Sequence, residues 1–142
     1  MNKYTSKTSK IDLPTEKVYL FLSDFNNFKN IIPSDKVTDY FSTMDSCSFK
    51  ISGLGQVDLK MTEKEPYKLL KIASGEKTPV SFFLWIQLKP IDETESSTAI
   101  RLTIEANLNP MMKMIIGNRM QTGLDSVLDY MVQFFNEKFA DK

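Results

Sequence analysis

The stretch NPMMKMIIGNRMQTGLDSVLDYMVQFFNEKF, residues 109–139, decides how the rest of the chain is read. Asn109 is a natural side-chain cap, and Pro110 stands in the first turn, where its missing N–H costs nothing. At about 100° per residue, Ile116, Met120, Leu124, Val127, Leu128, Met131, Phe134 and Phe135 share one arc. Gln121, Asp125, Ser126, Asp129, Gln133 and Asn136 share the opposite arc. The spacing predicts one amphipathic helix over residues 110–139, with a buried stripe and a solvated back. An isolated helix gains little of its stability from propensity, so the stripe must be covered by what precedes it.

What precedes it reads almost entirely as strand. Cys47, Phe49 and Ile51 alternate with polar residues, as do Val57, Leu59 and Met61, and then Leu70 and Ile72. Period two of this kind makes half-buried antiparallel strands. Gly53 and Gly55, Glu65-Pro66 and residues 75–79 supply the breaks. Two longer strands follow, 80–91 and 98–108, joined by a polar turn at 92–97. Folding them about residue 94 sets Leu88 opposite Ile100, Ile86 opposite Leu102 and Leu84 opposite Ile104, all facing the core. Phe83, Trp85, Gln87, Arg101, Thr103 and Glu105 then face outward. Upstream, residues 3–11 form a weak first strand. Pro14-Thr15-Glu16 opens a short helix with Val18, Phe21 and Leu22 on one face. Phe25, Phe28, Ile31 and Ile32 make a second helical piece that stops at Pro33.

Composition bounds the function. The chain has 142 residues, which suits one domain, 1–142. Lysine plus arginine equals aspartate plus glutamate at 18 each, so the basic excess of a nucleic-acid binder is missing. No apolar run reaches the length of a membrane span, and MNKYTSKTSKIDLP lacks a signal-peptide core. One cysteine, Cys47, forbids an internal disulfide. A cytoplasmic protein without nucleic-acid partner or stable membrane insertion is expected. Histidine is absent, which removes the commonest general base and metal ligand. No catalytic residue, metal site or cofactor is assigned.

The order of strand, two short helices, about six more strands and a long helix resembles the helix-grip superfamily. That superfamily includes START lipid-transfer domains, pollen-allergen-like proteins and the polyketide cyclase/dehydrase group, often called SRPBCC. Residues 13–24, LPTEKVYLFLSD, are similar to the family's opening helix. Asn27-Phe28, Ile32-Pro33, Gly53-Leu54-Gly55 and Asn109-Pro110-Met111-Met112-Lys113 are similar to segments of small bacterial members. The resemblance implies an α+β fold: a curved antiparallel sheet of about six to seven strands wrapped on the C-terminal helix. It also implies a cavity between the two for an apolar or amphipathic ligand.

The expected cavity walls are Phe25 and Phe28 from the small helices, Leu84, Ile86, Ile100, Leu102 and Ile104 from the sheet, and Met120, Leu124, Val127 and Met131 from the long helix. The methionines serve either as core filler or as an adaptable lining. Gly123, read as part of the buried stripe, leaves room either for a ligand or for close packing. Arg101 and Glu105, four apart on one strand face, read as a surface ion pair. Lys36, Asp39 and Tyr40 read as a solvated edge. Phe83 and Trp85, if outward, are either a partner surface or rings covered by lysine stems such as Lys71. Binding or transfer of a hydrophobic small molecule is the leading reading. A cyclase- or hydratase-like enzyme and a module resembling the chaperone-activating branch are the alternatives, and the oligomeric state is open.

Overall fold

The computed structural model describes residues 2–32, 35–53, 55–92 and 96–139. Pro33, Leu54 and the tip of the last hairpin, residues 93–95, lie outside them. The elements run β1 (Asn2–Thr5), β2 (Ser9–Ile11), α1 (Thr15–Leu22), a 3-10 helix (Phe25–Asn30), β3 (Val37–Ser42), β4 (Ser46–Ile51), β5 (Gly55–Glu65), β6 (Leu69–Ser74), β7 (Phe82–Pro90), β8 (Thr98–Ala106), α2 (Pro110–Phe134) and a π turn (Phe135–Phe139). The strands form one antiparallel sheet in the order β1-β8-β7-β6-β5-β4-β3, with β2 also on β8. The β7–β8 register is the expected one, with Leu84, Ile86 and Leu88 opposite Ile104, Leu102 and Ile100. This is the helix-grip α+β architecture.

The weak first strand becomes two for an identifiable reason. β1 pairs Thr5 with Thr103, whereas β2 pairs Ser9 with Ile100, so the register steps by one residue between them. Ser6 fills the step. Its N–H donates to Leu102 O at 2.8 Å, and its hydroxyl oxygen accepts from Leu102 N at 2.9 Å. The step moves the inward side chains from Tyr4 to Ile11, which is fully buried. A second one-residue step divides β3, where Asp39 takes a φ of 54°. It corrects the reading of Tyr40 as part of a solvated edge. Tyr40 turns inward, packs on the core and donates its hydroxyl to Phe25 O. Asp39 does stay exposed, 3.6 Å from Lys50.

One end of the sheet is plugged. The Thr98 hydroxyl, wholly buried, donates to Leu13 O at 2.8 Å and accepts from Thr15 Oγ1 at 3.0 Å, pinning α1 to β8. Asp24 caps the 3-10 helix through Asn26 N at 2.9 Å. Phe25 and Phe28 meet edge-on, their ring centroids 4.8 Å apart. Phe21 gathers Phe134, Phe135 and Phe139 within 5.3–5.4 Å, which the widened π turn at the end of α2 allows. Here Leu70, Ile100 and Leu102 are fully excluded from solvent.

Candidate functional site

The orientation of α2 follows from its hydrogen bonds. Gln121 Nε2 donates to Thr5 O at 2.8 Å, and Asp125 Oδ1 accepts from Lys7 N at 3.0 Å. Asn136 accepts from Asp12 N at 2.8 Å and donates to Lys10 O at 3.3 Å, while Asp129 pairs with Lys7 Nζ at 2.7 Å. Four of the six residues expected on the solvated back, Gln121, Asp125, Asp129 and Asn136, therefore form a rail along the sheet edge while the arc stays exposed or half-exposed. The rail satisfies backbone groups in β1 and β2, at Thr5 and Lys10, and in the residues that follow each, at Lys7 and Asp12, along an edge left without a further strand.

This rail rotates the helix about its axis. Counting about 100° per residue from buried Gly117, the buried Leu124, Leu128, Met131 and Phe135 lie within about 40°. The rail residues lie roughly 40–120° to one side. Met120, Val127, Ile116 and Gly123 lie roughly 60–120° to the other. Since α2 rests on β1, β2 and β8, that second flank looks across the sheet toward β7 and beyond. Gly123 is corrected accordingly. It is exposed, and a Cβ there would meet nothing within 4 Å. Val127 is 49% exposed, outside the buried stripe, and Ile116 and Met120 are half-buried.

The expected wall residues divide into two groups. Phe25, Phe28, Ile86, Ile100, Leu102, Leu124 and Met131 are buried among one another in the core. Leu84, Ile104 and Met120 are half-buried, and Val127 is exposed. Further along the same flank, Tyr130 and Phe134 face Asn30 of the 3-10 helix across a depression of about 100 Å³. Two residues absent from the expected walls stand at the other end. Tyr4, opposite Ile104, brings its hydroxyl to Gly117, and Lys113 lies beside it. Nothing in the period-two pattern marks Tyr4, because its strand is too short and is broken at Ser6.

The interior carries little ionisable chemistry. Among the described residues, the buried side chains that carry polar atoms are the hydroxyls of Ser6, Thr15, Tyr19, Ser97, Thr98 and Thr103 and the thiol of Cys47. Burial pushes the Cys47 thiol up to about 11, so it stays protonated near neutrality. Burial likewise raises the Tyr40 phenol.

The convex face is polar and covered. Lys71 Nζ lies 4.6 Å from the Phe83 ring centroid and 5.4 Å from that of Trp85, shielding both. Arg101 donates to Gln87 Oε1 at 3.0 Å, in place of the expected pair with Glu105. A depression of about 300 Å³ lies among these residues, and another of about 370 Å³ beside Phe41 and Ser48.

Compared by sequence, the chain matches no protein-family model and no curated protein. Compared by fold, it is similar to several solved structures. The Aha1 dimer from Colwellia psychrerythraea aligns with a TM-score of 0.70 at 18% identity, over 96% of this chain and 98% of that one. Norcoclaurine synthase from Thalictrum flavum, solved also with dopamine and hydroxybenzaldehyde, aligns at 0.73 and 13% identity, over 96% and 87%. The di-domain ARO/CYC protein BexL of the BE-7585A biosynthetic pathway aligns at 0.74 and 14% identity, over all of this chain and 48% of that one. These likenesses establish the helix-grip fold. No helix among the described residues is long and apolar enough to cross a membrane.

Proposed function

We propose that the protein binds a hydrophobic or amphipathic small molecule in a groove between the open flank of α2 and the concave sheet. One observation carries this reading. Ile116, Met120 and Val127 form an apolar strip on one flank of α2 that the fold leaves partly uncovered, and the core-facing Leu84 and Ile104 of the sheet are only half-buried. The stripe beside it, Leu124, Leu128 and Met131, is buried. Burying such a strip under a ligand gains roughly 25 cal/mol per Å² of apolar surface. Unbranched methionine adapts to varied ligand shapes. A neighbour of the same fold, norcoclaurine synthase, has been solved with two aromatic small molecules, which agrees with this use of the architecture. A single buried thiol suits a reducing compartment, and we place the protein in the cytoplasm.

Native mass spectrometry of protein purified from its own host tests the reading, with a co-purified small molecule as the expected result. Met120→Arg puts a charge on the half-buried strip without entering the buried stripe beside it. It is expected to lower uptake of an apolar fluorescent probe about tenfold or more. Unchanged uptake, together with ligand-free native protein, counts against the groove.

A further inference from the structure

The depression of about 300 Å³ on the outer face of the sheet has no part in the groove. We propose that it is a separate binding site, which takes a small aromatic carboxylate between Trp85 and Arg101.

The strand register lays the site out. Thr5, Thr103 and Trp85 stand in one row across β1, β8 and β7. Lys3 and Glu105 stand in the outward row on one side of it, and Arg101 and Gln87 in the row on the other. Two short threonines among longer side chains leave the hollow, and all seven residues line it. Its size is at the small end of ligand sites.

The Arg101 end is already organised. Thr103 Oγ1 and Arg101 Nε both donate to Gln87 Oε1, at 3.1 and 3.0 Å. Thr103 is buried, so it ties the amide down to the sheet. With its oxygen taken by two donors, Gln87 has its NH2 group left to offer. The bond from Nε likewise fixes the guanidinium and leaves its outer N–H groups for an acceptor. An amide NH2 beside a guanidinium edge matches the two oxygens of a carboxylate.

Charge and shape select the rest of the ligand. Lys3 and Arg101 line the hollow, and Lys71 Nζ lies 5.4 Å from the Trp85 ring centroid. Glu105 is the one acid in the lining, four residues along β8 from Arg101, or about 13 Å at roughly 3.3 Å each. It therefore stands at the far end from the carboxylate. A cationic ligand drawn to the indole would meet Lys71 already there. Lys71 reaches Trp85 from β6, on the side away from Thr103, so it backs the ring without filling the hollow. Trp85 is the large apolar wall, and an aromatic ring gains more against it than an alkyl chain does.

The chain has a single tryptophan, so one indole N–H signal reports on the site in proton–nitrogen correlation spectra. Titration with naphthoate is expected to shift that signal and the Arg101 Nε–H signal together and to saturation. Naphthoate should bind about tenfold more tightly than its neutral amide. It should bind about threefold to tenfold more tightly than octanoate, which has the charge without the ring. Arg101→Gln should weaken naphthoate about tenfold and, at an exposed position, leave the thermal midpoint nearly unchanged. Equal binding of naphthoate and its amide overturns the carboxylate contact. Octanoate binding as tightly at these signals overturns the aromatic wall. Tighter binding of naphthylmethylamine overturns the choice of an anion. Shifts confined to residues 111–127, or no saturable shift, overturn the outer-face site itself, and the first of these leaves the groove standing.

Discussion

Gly123 and Gly75 offer opposite surroundings to an added methyl group. At Gly123, mid-helix on the open flank, a Cβ meets nothing within 4 Å. Gly123→Ala is therefore expected to stabilise the protein by about 0.5–1 kcal/mol, the helix-propensity difference alone. At Gly75 a Cβ would fall 2.7 Å from Asp58 Cβ. That approach is enforced by the Gly75 N–H donating to Asp58 O at 2.7 Å and by Thr78 Oγ1, which accepts from Asp58 N at 2.8 Å. Gly75→Ala should cost about 1–3 kcal/mol, as overpacking does. Urea midpoints with unchanged slopes measure both. Equal shifts of the same sign would contradict the packing described for the two sites.

Among the elements, the pairing of α2 with β1–β2 is a match of lengths. From Gln121 to Asn136 the helix advances 15 residues, about 22 Å at roughly 1.5 Å each. From Thr5 to Asp12 the strand advances 7 residues, about 23 Å at roughly 3.3 Å each. The two run in step, so rail contacts near both ends close without strain. Asn136→Ala removes two hydrogen bonds at an exposed position and is expected to cost about 1 kcal/mol, with faster amide exchange at Asp12. Asp125 adds a pH dependence. The hydrogen bond from the Lys7 amide, then that from Gln121, holds its carboxyl below the ordinary carboxylate value. Its stabilisation is thus fully present above that ordinary value, about 3.9, and is lost as pH falls through the lower folded value. Corrected for intrinsic rates, exchange at the Lys7 amide should accelerate in the parent protein as pH falls below the ordinary carboxylate value and through the lower folded one. In Asp125→Asn, which keeps an acceptor without a titrating group, that acceleration should vanish.

For the whole molecule, burial is unequal from end to end. The end closed by α1 and the 3-10 helix holds Phe25, Ile100, Leu102 and Leu70 at 0% exposure. The end beside the N-terminal half of α2 leaves Met111 70%, Met114 85% and Ile115 63% exposed. Amide exchange at β7 and β8 should report global unfolding, and exchange in residues 111–127 should report local opening at lower free energy. A bound amphiphile is expected to slow exchange in residues 111–127 and leave β7–β8 rates changed only by the global stabilisation. Slowing confined to the sheet would place the ligand elsewhere.

Local periodicity determined much of this protein. The strand pattern, the β7–β8 register and the cap at Asn109 follow from residue spacing, because side-chain direction repeats every two residues in a strand and about every 3.6 in a helix. Seven of the eleven expected wall residues are buried for the same reason: an apolar side chain on the inward face is buried whether it meets a ligand or a neighbour. Tertiary structure decided the rest. The one-residue steps at Ser6 and Asp39 turn side chains over, and no apolar pattern announces them. The turn of α2 about its own axis was equally hidden. Hydrophobic spacing marks an arc, but the hydrogen bonds from Gln121, Asp125 and Asn136 to an edge strand more than a hundred residues away select which part of it is buried. Those contacts leave Met120 and Val127 on the open flank and bring Lys113 beside Tyr4. The angle of the helix is a property of the assembled fold, set by the apolar stripe and the polar rail together.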